Sequence, residues 1–499
     1  MNVSGNALGS VDKDAIARLN LIVPRVAAKD FTVWGKHSEA QNRINWLDLP
    51  ISSRNLLPEL DALSAWARSL ELTQIVLCGM GGSSLASEVI AKANNKSLTI
   101  IDSTDPDQII SSIPKDLAKS LIIFSSKSGT TIETLSHFKF FKKLFLDNKL
   151  DPLEHMVIIT DPRTTLDESA RKSGFRVFNA DPNVGGRFSA LTTFGLLPAS
   201  IIGVDVSVLL DDADNANQML AKANSPAVLI AAALFSSSKQ VVNFISDETK
   251  LPGLCDWIEQ LIAESTGKDA KGRLPVISNE FEKQASSFSI GFSVGDCDLS
   301  VDATLGEHFI LWQWVTALLC YLLEVDPFNQ PHVTESKDRT TKILHQITEG
   351  IFESPKPILE TDDLALYSNL NVRNLSEFLN SSYGYLAIMA FFPRIELNNV
   401  TQLQNLIFLR TGIPTTFGWG PRFLHSTGQI HKGGQLNGGF IQITRSHETD
   451  LEIPGEKFTF GELISAQALG DAQALVERGL PLIRVHLKNK EFNILKVLD

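Results

Sequence analysis

From Gln74 onward the chain alternates short apolar runs with segments of helical period, a rhythm that few folds accept. The runs 75–78, 98–101, 121–124, 156–160 and 175–178 read as buried strands, each followed by a polar turn and most by a helix. Parallel strands joined by crossover helices produce this pattern, so doubly wound parallel sheets flanked by helices are expected. In such sheets ligands sit beyond the carboxyl ends of the strands, where the polar turns gather. Residues 1–45 read as a helical arm, with 12–21 and 56–70 as the clearer early helices and Trp34 and Trp46 packing the arm onto the first domain. Residues 46–202 form that first α/β domain and 203–400 a second, with 401–499 completing it. The second domain is expected to carry helices over 206–223, 227–237, 254–264 and 305–323 and a strand over 241–246. Beyond Asp326 further strands are expected over 385–392, 405–409, 440–444 and 482–487.

The 499 residues suffice for two or three domains with cores of their own. A formal charge of −12 argues against nucleic acid or an anionic membrane as partner. Any anionic substrate must therefore meet a locally positive pocket in an acidic protein. The first residues carry neither a basic stretch nor an apolar one, so no secretory signal is expected. No apolar run is long enough to span a bilayer. Four scattered cysteines, Cys78, Cys255, Cys297 and Cys320, read as reduced core residues of a cytoplasmic protein and not as a zinc site.

Two turns look built for an anion. Residues 124–131, Phe-Ser-Ser-Lys-Ser-Gly-Thr-Thr, put four hydroxyls (Ser126, Ser128, Thr130, Thr131) and free backbone N–H groups at a helix N-terminus. Unpaired donors and the helix dipole both favour negative charge there, and Lys127 adds a full positive charge. The helix is expected to bury Ile132, Leu135, Phe138 and Phe145. Upstream, Cys78-Gly-Met-Gly-Gly-Ser-Ser84 lets backbone N–H groups approach an anion at Gly82, while Ser83 and Ser84 can cap the next helix. A dinucleotide fingerprint is the rival reading, with Asp102 about twenty residues on as the ribose acid. Ser84 stands where its third glycine belongs, and one phosphate gripped from two sides accounts for both turns.

Three further stretches carry chemistry. Asn183-Val-Gly-Gly-Arg-Phe-Ser189 can project Arg187 into a cleft, where a permanent cation stabilises a developing oxyanion. A helix through 254–264 buries Leu254, Trp257, Ile258, Leu261 and Ile262, leaving Gln260 and Glu264 four apart at the stripe's margin. Partial desolvation there raises a carboxylate toward the range of a general base, although an ordinary boundary glutamate looks the same. In the third, residues 326–337, Pro327 and Pro331 fix a turn and Lys337 falls near the start of the next helix. The glycine-rich span 417–434 holds His425, His431, Arg422 and Lys432 and reads as a functional loop, with no acid or cysteine to complete a metal site. His308, on an apolar helix, reads as a core histidine.

Together these stretches resemble phosphoglucose isomerase, a family of two sugar-isomerase (SIS) domains, and follow the family's order across residues 79–337. The tail, with His-Ser-Thr-Gly-Gln-Ile-His-Lys-Gly-Gly and Ala466-Gln-Ala-Leu-Gly-Asp471, resembles the isomerase half of transaldolase–phosphoglucose isomerase fusions. The resemblance implies interconversion of glucose 6-phosphate and fructose 6-phosphate through a cis-enediol, with no metal or organic cofactor, in a homodimer. It places the phosphate on Ser126, Ser128, Thr130 and Thr131, with Lys127, Gly82 and Ser83 nearby. It makes Glu264 the base, Arg187 the enediolate's counter-charge, Gln260 a sugar contact or positioning group, and Lys337 the group near the ring oxygen. Asn329 replaces the family's usual aspartate, removing a charge near Lys337. The ring-opening histidine is assigned by analogy of role to His431, with His425 as competitor. A dual phosphoglucose/phosphomannose isomerase and a non-catalytic sugar-phosphate sensor remain alternatives.

Overall fold

The computed structural model describes residues 1–499 except 247, 279–285, 293–296, 354, 395–396, 448, 490–492 and 499. The chain divides into two compact units, Met1–Asp102 with Pro114–Asn329, and Ser103–Ile113 with Gln330–Asp499. Both are α/β, as the alternation requires.

The first unit holds two sheets. One runs Thr99–Ile101, Gln74–Gly79, Ser120–Ser125, Met156–Thr160, Arg176–Asn179, every pair parallel. In chain order this is 2-1-3-4-5, so the order reverses between Gln74–Gly79 and Ser120–Ser125, the position where doubly wound sheets bind ligands. The two strands adjoining that reversal lead into the two anion turns. The second sheet runs Leu274–Ser278, Val241–Ile245, Ser287–Phe292, Leu299–Asp302, parallel, with Asn2–Ser4 antiparallel at its edge. The helix Leu305–Leu323 matches its expected span and is buried along nearly its whole length. Trp34 donates to the Ala317 carbonyl (3.0 Å), and Trp46 packs on Phe188 and Trp314, which ties the N-terminal arm to this core.

The second unit has one sheet of its own: Leu359–Glu360, Leu364–Ser368, Leu482–Leu487, Gly438–Arg445, Tyr385–Phe391, Thr415–Trp419. Its last four strands are parallel and again follow the 2-1-3-4 order. The boundary expected at 400/401 therefore has no counterpart. The division falls after Asn329, because the strands beyond it pair with one another and extend neither earlier sheet.

Other expectations shift for local reasons. Residues 405–409 lie within the helix Leu397–Thr411, where Leu403 and Ile407, four apart, are buried while Leu406 and Leu409 are exposed. The following segment Thr415–Trp419 is the strand. The helix Ile132–Asp147 buries Glu133, His137, Phe141 and Phe145, a row at i, i+4 spacing, and leaves Ile132, Leu135 and Phe138 half-buried. Among the described residues no helix is long and apolar enough to cross a membrane.

Candidate active site

The site begins at the strand reversal of the first sheet. The helix Ile132–Asp147 has Thr131 at its N-cap and no side-chain cap, so the positive end of its dipole faces the turn. Ser126 donates to the Thr131 hydroxyl (2.9 Å), and Ser128 and Thr130 share a hydrogen bond (3.0 Å), which presents the hydroxyls as one cluster. Ser128 and Thr130 are exposed, Thr131 is half-buried and Ser126 is buried. Gly129 takes a left-handed φ of 66° against Thr164, a conformation only glycine adopts freely.

Lys127 is not a free charge. Its ammonium lies 2.6 Å and 2.8 Å from the two Asp161 carboxylate oxygens and donates to the Asp181 carbonyl (3.3 Å). Burial lowers the lysine from its ordinary range, opposed by Asp161. Its positive charge is thus largely spent on fixing the turn.

Across the reversal, neither Ser83 nor Ser84 caps the following helix Leu85–Ala93, contrary to expectation. The Ser84 hydroxyl turns back to the Gly81 carbonyl (3.4 Å), and that of Ser83 makes no hydrogen bond among the described residues. Gly82 is required by packing: a Cβ there would collide with the Gly186 carbonyl. Ser189 donates to the Gly82 carbonyl (3.1 Å), locking the two glycine turns together.

Arg187 leaves this second turn and enters the core. Its Nη1 lies 2.9 Å from Glu264 Oε1, its Nε donates to the Ser265 hydroxyl (2.8 Å), and its Nη2 donates to the carbonyls of Pro327 (2.5 Å) and Asn329 (3.1 Å). Glu264 and Gln260 sit on the helix Leu254–Thr266, which continues two residues beyond its expected end. Gln260 Nε2 donates to Glu264 Oε2 (3.1 Å), so both carboxylate oxygens are engaged. Arg187, Gln260 and Glu264 are 3%, 3% and 4% exposed. A buried ion pair of this kind costs desolvation unless its remaining hydrogen bonds are made, and here they are.

Lys268, just past the end of the same helix in the stretch Ser265-Thr-Gly-Lys268, is a candidate to which the sequence alone gives no role. Its nearness to Glu264 in the chain is the signal that could have found it. Its ammonium donates to the Asp326 carbonyl, so Arg187 and Lys268 clamp the turn 326–329 from two sides. Burial first, then the Arg187 guanidinium, pushes Lys268 down to about 7.

The other two expected catalytic residues belong to the second unit. Lys337 lies in the helix Pro331–Thr348, exposed, and its ammonium makes no hydrogen bond or ion pair among the described residues. His431 sits in a short helix, Gly428–Gly433, within the span read as a loop. It is 3% exposed, meets the Tyr385 hydroxyl at 3.1 Å and is enclosed by the rings of Tyr385, Phe423 and Phe440. Burial first, then the Lys432 charge, pushes it down to about 3. His425 is half-buried. The tail motifs interlock: Lys432 pairs with Asp471 at 2.6 Å, both side chains 1% exposed, and Thr104 donates to Gln467 (2.7 Å). His308 is the core residue expected, its Nδ1 accepting from Trp312 (3.3 Å).

Residues 63–283, which carry both anion turns, Arg187, Gln260, Glu264 and Lys268, match the phosphoglucose isomerase family. A glucose-6-phosphate isomerase of Parabacteroides distasonis is 30% identical over 303 residues, 55% of this chain and 67% of that protein. The chain belongs to the phosphoglucose isomerase family. Another relative, a glucose-6-phosphate isomerase of Methanocaldococcus jannaschii, is 33% identical over 214 residues, 41% of this chain. The chain spans 53% of that relative's length and 58% of a probable glucose-6-phosphate isomerase of Haloarcula marismortui. Among solved structures, a glucose-6-phosphate isomerase from Chlamydia trachomatis shares the fold, with a TM-score of 0.52 and 17% identity over 67% of this chain and 84% of that one. The family match ends before Lys337 and His431.

Proposed function

We propose that this phosphoglucose isomerase family member interconverts glucose 6-phosphate and fructose 6-phosphate through a cis-enediol. The observation that carries the proposal is the buried Arg187–Glu264 pair, at 2.9 Å, projecting from a turn locked onto the Gly82 turn at the strand reversal. The phosphate rests on the hydroxyls of Ser126, Ser128, Thr130 and Thr131 at the N-terminus of the helix they precede, with Gly82, Ser83 and Lys127 beside it. Glu264 moves the proton between C2 and C1. To do so it exchanges one of its present partners for the substrate, and Arg187 then faces the enediolate oxygen. Gln260 keeps the carboxylate aimed. A sensor of sugar phosphates would need the turns, but would gain nothing from burying a base against a cation.

Ring opening is assigned to groups of the second unit by family resemblance: Lys337, exposed on its helix, with His431 or His425. The aromatic enclosure of His431 favours His425, whose imidazole is partly exposed. The enzyme acts as a homodimer in the cytoplasm, a compartment that suits four buried cysteine thiols.

The test is deuterium exchange at C2 of glucose 6-phosphate in D2O, followed by NMR. Exchange with appearance of fructose 6-phosphate is expected; binding with neither sinks the enzymatic reading. Parallel turnover of mannose 6-phosphate separates the dual-specificity alternative.

A further inference from the structure

The sheet of the second unit reverses its strand order between Tyr385–Phe391 and Gly438–Arg445, as the first sheet does between its own first and third strands. A cavity of about 240 Å³ lies at the carboxyl ends of those strands. Its polar lining comes from Tyr367, Thr444, Arg445, Arg484 and His486 on the sheet, His447 just beyond it and Ser465 on the helix Phe460–Val476. A second cavity of about 560 Å³ adjoins it and shares Arg484 and Tyr367.

The polarity of this face is the unusual part. One face of the sheet is ordinary core, with Ile441, Ile443, Ile483 and Val485. The other pairs Gln442 with Arg484 and Thr444 with His486 across neighbouring strands, beneath a helix. Gln442 is used structurally, its Nε2 donating to the Ala468 carbonyl (2.9 Å) while its Oε1 accepts from Arg484 Nε (2.8 Å). His486 is held between the Thr444 hydroxyl (2.9 Å) and the Ser446 hydroxyl (3.0 Å).

Arg484 has no such closure. Its guanidinium lies over the Tyr367 ring (5.2 Å), and among the described residues no carboxylate comes within ion-pair distance. Of the nearby acids, Asp107 lies 3.7 Å from Arg445, Asp105 lies 3.4 Å from His447 and Glu477 lies 2.6 Å from Arg339, while Glu353 lines the adjoining cavity. Burial lowers Arg484 from its ordinary range, and burial followed by the Arg484 charge lowers His486. A guanidinium held off water, oriented by one hydrogen bond and lacking a carboxylate, matches an anion's needs.

We propose that the second unit binds a small organic phosphate in this cavity, its phosphoryl group on Arg484, supplemented by Arg445 and the Ser465 hydroxyl. The adjoining cavity of about 560 Å³, which shares Arg484, leaves room for an organic group beside the phosphoryl group. This site is separate from the phosphate turns of the first unit and shares no residue with them.

Inorganic phosphate titrated calorimetrically into the full chain is the probe, in a Ser128→Ala/Thr131→Ala background that weakens the first unit's site. Arg484→Met should weaken the remaining binding about tenfold or more, the scale of a lost charge-assisted hydrogen bond. Ser465→Glu, at an exposed position that tolerates substitution, should do the same by giving Arg484 a carboxylate. Two folded variants that titrate like their parent overturn the proposal, as does a chain with no phosphate binding left in that background. A three-carbon phosphate ester is then compared with a dicarboxylate of similar length. Tighter binding of the ester is expected; preference for the dicarboxylate overturns the assignment.

Discussion

The first sheet and the sheet of the second unit share a strand order and differ in what they place at its reversal. In the first, the strand ends give way to turns of glycine and small hydroxyls, and the donors are largely backbone N–H groups at an uncapped helix. Lys127, the one cation inside those turns, is tied to Asp161. In the second, the strand ends keep their side chains, and arginine, histidine and serine line the cavity. Backbone donors bind any phosphate that fits and survive substitution of single side chains. Side-chain donors concentrate the interaction in one residue, here Arg484, and can be lost with it. A common architecture fixes where a ligand sits and leaves its chemistry to the local residues.

The contrast can be tested first where the effect is largest. Glu264→Gln should lower the isomerisation rate by about two to four orders of magnitude while sugar-phosphate binding stays near normal, because binding is delegated to the turns. Turnover rates measured beside calorimetric affinities check this, and a mutant at near-full rate would falsify the role of Glu264 as base. Arg187→Met strands a buried carboxylate and frees the turn 326–329, so a loss of about 3–5 kcal/mol in urea unfolding is expected. Indifference to that substitution would mean that the pair is not held as described.

Ser128→Ala with Thr131→Ala should raise KM about tenfold with much less change in kcat, since those hydroxyls serve ground and transition states alike. A collapse of kcat at unchanged KM would show the hydroxyls acting in the chemical step, and would break the contrast between backbone and side-chain binding.

The smallest effect concerns Lys268. Its folded-state value, about 7, lies well below that of an unfolded lysine, so between the two the unfolded chain binds more protons. Stability contributed at this residue therefore rises as pH climbs from about 7 toward the ordinary lysine range. Relative to Lys268→Met, wild type should gain in urea midpoint between about pH 6.5 and about pH 9. A constant difference would mean that the lysine stays charged throughout.

Much of the site in the first unit could be read in advance because its signals are local. A glycine- and hydroxyl-rich turn after an apolar run, and a helix with Gln260 and Glu264 on one side, need only neighbouring residues to be recognised. The misreadings share a cause as well. Hydrophobicity suggested Ile132, Leu135 and Phe138 as the buried row of their helix, yet Glu133 and His137 are buried. The span around His431 has glycine-rich, loop-like composition, yet it folds as a short helix against Tyr385 and Phe440. Composition names a loop; the neighbours it packs against decide whether it is one.

The sequence by itself determined the α/β class, most strand and helix positions, and the two glycine- and hydroxyl-rich turns, because periodicity and turn chemistry act over a few residues. It did not determine that Lys127 meets Asp161, that Arg187 meets Glu264, that the strands beyond Gln330 form a sheet of their own, or that Arg484 lies over Tyr367 without a carboxylate. Those facts depend on which distant segments the fold brings together, and a charge's role comes from its partner and its burial, neither of which is a property of the residue alone.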